Sequence, residues 1–67
     1  MTPSDLRQFA SACDFLCAYL DHLYRVAEAL ELTKHADAIA GCIAVIRGMQ
    51  ADVEQRAEAL TARTENP

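Results

Sequence analysis

Proline and glycine are scarce in this chain of 67 residues, which contains only two of each. The prolines stand at positions 3 and 67, and neither residue type occurs between positions 4 and 40. The apolar runs are also short, whereas a membrane-spanning helix needs about 20 consecutive apolar residues. The first residues, MTPSDLRQF, lack the basic end and the apolar core of a secretory signal. We therefore expect one domain over residues 1–67, without an internal linker or a membrane segment.

Basic residues are too few for a nucleic-acid-binding surface, because six of them stand against ten acidic residues and the formal net charge is −4. This balance favours a protein partner with a basic surface. The motifs of common enzymes are missing as well: the sequence has no Gly-rich phosphate loop, no nucleophile elbow and no His-Glu-x-x-His. We expect no enzymatic activity and no cofactor, and neither nucleic acid nor membrane among the partners.

Cysteine occurs three times, and an odd number without a secretory signal indicates free thiols in the cytoplasm. Cys13 and Cys17 lie four positions apart, so they share one side of a helix. Such a pair could bind Cu(I) or contribute to a zinc site, and Cys-x-x-x-Cys on bundle helices resembles the copper-storage helical bundles. Cysteine is also a common small apolar core residue. We expect the core role, with a metal or redox site at Cys13 and Cys17 as the alternative.

The segment TPSD indicates the start of a first helix, expected over about residues 3–32. Thr2 can cap it, Pro3 suits the first helical position, and Asp5 can complete a capping box. An apolar stripe follows with alternating spacings of three and four residues: Leu6, Phe9, Cys13, Leu16, Leu20, Leu23, Ala27 and Leu30. Further apolar residues flank this stripe on both sides, which is typical of helix bundles.

The segment ELTKHAD interrupts this pattern, and Thr33 is the expected cap of a second helix over about residues 34–62, with a frayed tail over 63–67. Because the connection is short, the helices are expected to be antiparallel. The second stripe consists of Ala36, Ile39, Ile43, Ile46, Gln50, Val53, Ala57 and Leu60. Both stripes pair in one register, from Leu30 opposite Ala36 to Leu6 opposite Leu60. The sequence thus predicts an all-α, antiparallel two-helix hairpin.

Several apolar side chains lie at the margins of this predicted hairpin core, among them Tyr19, Tyr24 and Met49. A second hairpin would cover them, and two hairpins form a four-helix bundle. Domains of this length often need association with another chain to be stable, because they bury only about 60% of their unfolded surface. We therefore expect the chain to form a homodimer.

Small residues line the side of the second helix behind its stripe, including Gly41, Ala44 and Gly48. Each glycine within a helix costs about 0.8–1 kcal/mol relative to alanine. One interpretation is that these small residues let another helix approach closely. The other is that alanine and tolerated glycine face water.

An acidic stripe on the exposed side of the first helix consists of Asp14, Asp21 and Glu28, which repeat every seven residues. Phe15 and His22 lie on its flank, and an aromatic side chain near acidic residues is typical of a docking anchor with a charged rim. A solvated face with one stray aromatic is the alternative. Our interpretation is a small protein-binding regulator or inhibitor, of a kind common in phages and bacteria. It would cover a basic or apolar surface of a target protein, such as a DNA-binding or nucleotide-binding surface.

The segment AIAGCIAVIRGM, residues 38–49, is similar in pattern to the second helix of the small co-chaperones of type III secretion needle subunits. Members of that family are also short helical hairpins. The resemblance implies the same fold and, as an alternative function, a role as a co-chaperone of a needle subunit.

Overall fold

The computed structural model describes residues 2–65 and places two long helices in this range, with no strand among these residues. Helix α1 spans Pro3–Ala29 and helix α2 spans Thr33–Glu65. The chain is therefore the all-α helical hairpin that the sequence predicts. Helix α1 ends earlier than expected, whereas α2 includes residues 63–65, which the sequence assigns to a frayed tail. Residues 66 and 67 of that tail lie outside the described range.

The start of α1 is fixed by Thr2, as predicted. Thr2 Oγ1 accepts a hydrogen bond from the backbone N–H of Asp5 at 3.2 Å, and the Thr2 backbone N–H donates to Asp5 Oδ2 at 3.1 Å. This reciprocal pair is a capping box, and Pro3 occupies a first-turn position where no N–H is needed. The hydrogen bond from the Thr2 backbone lowers the pKa of the Asp5 carboxyl, and the Thr2 side chain lowers it further.

The turn between the helices is a Schellman motif built on a residue other than glycine. Glu31 has a φ of 60°, in the left-handed region. The Glu31 N–H donates to the Glu28 carbonyl at 3.0 Å, and the Leu32 N–H donates to the Ala27 carbonyl at 2.9 Å. These bonds satisfy carbonyl groups at the end of α1 and reverse the chain within a few residues.

The first residue of α2 differs from the prediction, because Leu32 and not Thr33 precedes the first turn. The Leu32 carbonyl accepts the first α2 hydrogen bond, from the Ala36 N–H at 2.9 Å, and Thr33 is already helical. The reason is the compact turn: once Leu32 has closed the Schellman motif, its carbonyl is free to begin the next helix.

The side of α1 that meets α2 is rotated relative to the predicted stripe. We call this contact side the seam of α1; its members are buried or half-buried, and they are Leu6, Ala10, Cys13, Cys17, Leu20, Tyr24 and Ala27. Four predicted core residues are instead 41–64% exposed, and we call them the apolar row: Phe9, Leu16, Leu23 and Leu30. Their predicted pairings with individual residues of α2 stay predictions. The small side chains of Ala10 and Cys17 occupy buried positions of this seam, where a leucine would need more space.

The predicted stripe of α2 is confirmed, since each of its members is buried or half-buried while the neighbouring Met49 is 44% exposed. The core that results is small. Among the described residues, Leu6 is the one large side chain in a buried set that otherwise contains alanine and cysteine. The hairpin is a thin rod, with Cα extents of 56 × 14 × 14 Å, so a single layer of side chains forms the whole core.

Candidate interaction surfaces

Two hydrogen bonds between the helices show which of their sides lie on a common face. Arg47 Nη1 donates to Asp14 Oδ1 at 2.9 Å, and Arg7 Nη2 donates to Thr61 Oγ1 at 3.1 Å. Successive residues of a helix are offset by about 100°. These two contacts therefore also show which other residues of each helix lie on the same side of the hairpin. We call this side the polar face; it comprises Arg7, Asp14, Asp21 and Glu28 of α1 with Asp37, Arg47, Glu54 and Thr61 of α2.

A chain of hydrogen bonds crosses the polar face at Arg47. Besides Asp14, Arg47 Nη1 contacts Gln50 Oε1 at 2.8 Å, and Gln50 Nε2 donates to Glu54 Oε1 at 3.3 Å. The hydrogen bond to Asp14 raises the pKa of Arg47, so the guanidinium stays charged. The half-buried Gln50 therefore bonds within its own helix, and Arg47 connects this network to α1.

Each carboxylate of the acidic stripe has a partner within the chain. Asp14 accepts the bond from Arg47, and Asp21 pairs with Arg25 at 3.3 Å. A hydrogen bond to Glu28, together with the charge of that carboxylate, raises the pKa of Tyr24. These groups are largely solvent-exposed, and exposed ion pairs contribute little to stability. Basic side chains of a target protein could therefore replace Arg47 and Arg25 as partners of these carboxylates at a small cost in stability.

Phe15 and His22 lie on the side of α1 that is turned away from α2, roughly a quarter turn from the acidic stripe. Phe15 is 77% exposed. The structure thus places this side chain outside the hairpin core, as the sequence predicts, and beside the acidic stripe. Its role as a docking anchor stays a prediction.

The side of the hairpin opposite to the polar face is the apolar face, which joins the apolar row of α1 to three exposed residues of α2: Cys42, Val45 and Met49. This face could not be assigned from hydrophobic periodicity alone, because α1 carries two apolar rows that share Leu6, Cys13, Leu20 and Ala27. The row that forms the seam contains the smaller side chains Ala10 and Cys17, and this difference in size was the signal in the sequence that could have identified it.

Neither helix is apolar over enough of its length to cross a membrane, within the part of the chain that the structure describes.

The small residues of α2 do not pack against α1. We define the small-residue arc as Gly41, Ala44, Gly48 and Ala51, which are exposed on the side of α2 turned away from α1. A Cβ atom at Gly41 or Gly48 would meet no atom within 4 Å beyond the neighbouring residues and backbone of its own helix. A close contact at this arc would therefore need another chain.

The three apolar residues expected at the hairpin margins have different surroundings. Tyr19 is exposed, and Met49 belongs to the apolar face. Tyr24 lies half-buried in the seam of α1, and its expected contact with a second chain stays a prediction. Tyr24 is half-buried because α1 is rotated relative to the prediction, which turns the Tyr24 side toward α2 and the apolar row outward.

The cysteines divide between the core and the apolar face. Cys13 and Cys17 are buried free thiols in the seam, whereas Cys42 is exposed. Their burial agrees with a packing role as small apolar residues. Among the residues that the structure describes, no group of three or more His, Cys, Asp or Glu side chains is placed to hold a metal ion. The alternative metal site at Cys13 and Cys17 stays a prediction, which metal analysis of the reduced protein tests.

Comparisons of the chain with protein-family models, curated proteins and solved structures gave no match. Functional proposals therefore depend on the chemistry of its own surfaces. Two of these surfaces are candidates: the apolar face, and the polar face together with the adjoining side of α1 that carries Phe15.

Proposed function

We propose that this chain is a non-enzymatic protein-binding regulator or inhibitor that works as a homodimer and covers a surface of a target protein. The observation that supports this proposal is the distribution of apolar side chains. The buried hydrophobic residues are mostly alanine and cysteine, while ten larger apolar side chains are exposed. So many exposed apolar groups on a small hairpin suit a chain that completes its burial against other chains.

The polar face and the adjoining side of α1 supply the features that target binding requires. Phe15 offers an aromatic anchor, and the acidic stripe offers a charged rim. The net charge of −4 favours encounter with a basic surface. DNA-binding and nucleotide-binding surfaces are basic, so a chain that covers one of them would inhibit its target.

Variants at Phe15 and Asp21 test this proposal once the target is captured. A photo-crosslinking phenylalanine analogue at position 15 would identify the protein that contacts this side chain. Phe15→Ala should then weaken target binding by about 2 kcal/mol or more, as truncation of central aromatic anchors does. Asp21→Lys should mainly slow association and reduce its dependence on salt, because rim charges steer encounter.

Gly48→Leu is the matched variant on the back of α2, where it adds bulk to the small-residue arc. Binding should survive this change. If Gly48→Leu abolishes binding while Phe15→Ala and Asp21→Lys bind normally, the target docks on α2 and the proposed surface is wrong. Capture of a needle subunit would instead favour the co-chaperone alternative.

A further inference from the structure

We propose that the apolar face is the site at which a second copy of this chain docks, so that the apolar rows of two chains meet in the centre of a four-helix bundle. This inference rests on the homodimer proposed above. It adds the surface that forms the dimer, and it assigns that role to the apolar face in place of the small-residue arc.

The direction of the apolar row agrees with the geometry of a four-helix bundle. Phe9, Leu16 and Leu23 each directly precede a seam residue, so they are offset from it by about 100° and from the centre of the seam by roughly 80°. A helix in a four-helix bundle meets its two neighbours in directions roughly at right angles. Helix α1 therefore contacts α2 through its seam and presents the apolar row toward a third helix.

The surface area of the single hairpin also indicates a further chain. Its accessible surface is 5146 Å², whereas a compact monomer of 7.4 kDa exposes about 4200 Å². The excess of roughly 900 Å² is close to the approximately 800 Å² that each partner buries in an interface of standard size. The radius of gyration, 15.7 Å, likewise exceeds the about 11 Å of a compact domain of this length. Docking along the long side of the rod would bury the excess surface and would make the assembly less elongated relative to its width.

The spacing of the apolar row identifies a second copy as the occupant. Phe9, Leu16, Leu23 and Leu30 follow each other at even intervals of seven residues, and Cys42 and Met49 have the same interval on α2. A two-fold axis that crosses the row between Leu16 and Leu23 places Leu16 of one copy against Leu23 of the other. Phe9 then meets Leu30 at both ends. A surface that is complementary to itself in this way is what a two-fold dimer requires.

Charge argues against a lipid surface as the occupant. Amphipathic helices that lie on membranes are rich in Lys and Arg on their polar side. In this hairpin the polar face carries the acidic stripe, and the chain has a net charge of −4. An anionic membrane would therefore repel it, whereas a second copy brings only apolar side chains to the centre of the face.

Sedimentation equilibrium of the full chain and three variants tests the inference. The wild-type protein should show twice its mass of 7.4 kDa at micromolar concentration. Leu16→Glu should raise the dimer dissociation constant by about 100-fold or more, because it places a carboxylate in an apolar interface. Phe15→Glu introduces the same charge on the side of α1 that is turned away from α2, about 100° around the helix from Leu16, and should leave the dimer intact. Gly48→Leu, on the small-residue arc, should also dimerise normally.

Leu16→Ala provides a second test if Leu16→Glu lowers the helix content measured by circular dichroism. It should weaken the dimer by about 10-fold. The native Cys42 thiol supplies an independent readout, because it lies on the apolar face. It should react slowly with a thiol reagent at concentrations above the dissociation constant and rapidly after dilution.

The outcomes separate this inference from the proposed homodimer. A folded protein that remains monomeric at millimolar concentration would overturn both. A dimer that survives Leu16→Glu and Leu16→Ala, or that Gly48→Leu abolishes, would overturn the assignment of the apolar face alone. Binding of a monomer to phosphatidylglycerol vesicles, lost in Leu16→Glu, would assign the face to lipid and would also overturn the inference.

Discussion

Glu31 adopts a backbone conformation that costs an L-residue roughly 1–2 kcal/mol and that glycine adopts freely. We predict that Glu31→Gly stabilises the hairpin by about 0.5–1 kcal/mol, because the gain at the turn exceeds the extra entropy of the unfolded chain. Thermal unfolding followed by circular dichroism measures the change. Glu31→Ala is the control and should change stability little, since alanine retains the Cβ atom. A Glu31→Gly protein no more stable than Glu31→Ala would contradict the strained turn.

The two glycines of α2 occupy exposed helical positions where an added methyl group meets nothing in the chain. Gly41→Ala and Gly48→Ala should therefore each stabilise the protein by about 0.8–1 kcal/mol, the difference in helix propensity. Ala44→Gly, on the same arc, should destabilise it by a similar amount. If either glycine substitution lowers the unfolding temperature, another chain packs against the small-residue arc, and the apolar face is not the whole interface.

At the scale of the element, the capping box makes the start of α1 sensitive to acid. The pKa of Asp5 is lowered in the folded chain, below the about 3.9 of an unfolded aspartate. The contribution of its carboxylate is therefore complete above that value and is lost as the pH falls through the folded pKa. We predict that Asp5→Asn lowers the unfolding temperature at about pH 6 and that this effect is smaller at about pH 2.5.

Thr2→Ala is the companion variant at the same cap. Its hydroxyl accepts the Asp5 N–H, so its removal should cost about 1 kcal/mol at about pH 6. Part of this cost should disappear at about pH 2.5, because the Thr2 side chain also lowers the pKa of Asp5. Unfolding curves of both variants at the two pH values check the pair. An Asp5→Asn effect of equal size at both pH values would show that the charge of Asp5 contributes nothing to the cap.

At the scale of the whole molecule, the two-fold axis between Leu16 and Leu23 makes the α1 helices of a dimer antiparallel neighbours. In a Cys42→Ala background, we predict that Leu16→Cys and Leu23→Cys proteins form a mixed disulfide when they are combined and oxidised. Each protein alone should crosslink poorly, because its two cysteines would be about 10 Å apart along the bundle, beyond disulfide reach. Non-reducing electrophoresis measures the linkage.

A Met49→Cys protein provides the contrasting pair for this arrangement. Should Leu16→Cys crosslink with Met49→Cys and not with Leu23→Cys, α1 would face α2 of the other copy, and the predicted axis would be wrong. The crosslinks thus fix the direction of the two-fold axis, which the oligomeric mass alone does not report.

The sequence by itself determined the features that depend on neighbouring residues. The capping box at Thr2 and Asp5 is a local structure, and the stripe of α2 is the row of that helix that carries its isoleucines. The break before Thr33 likewise follows from the polar segment ELTKHAD, although its left-handed residue is a glutamate that local rules do not favour. These features, and hence the hairpin, were predictable because helix signals act within a few residues.

Only the tertiary structure decided which row of α1 faces α2. Two rows share Leu6, Cys13, Leu20 and Ala27, and hydrophobic periodicity alone permits either one. Contact with α2 selects the row with Ala10 and Cys17, because small side chains let the helix axes approach, and it turns the larger row outward. The same rotation creates the apolar face and brings Arg47 to Asp14. The candidate surfaces therefore follow from packing between the helices, which no local pattern in either helix specifies.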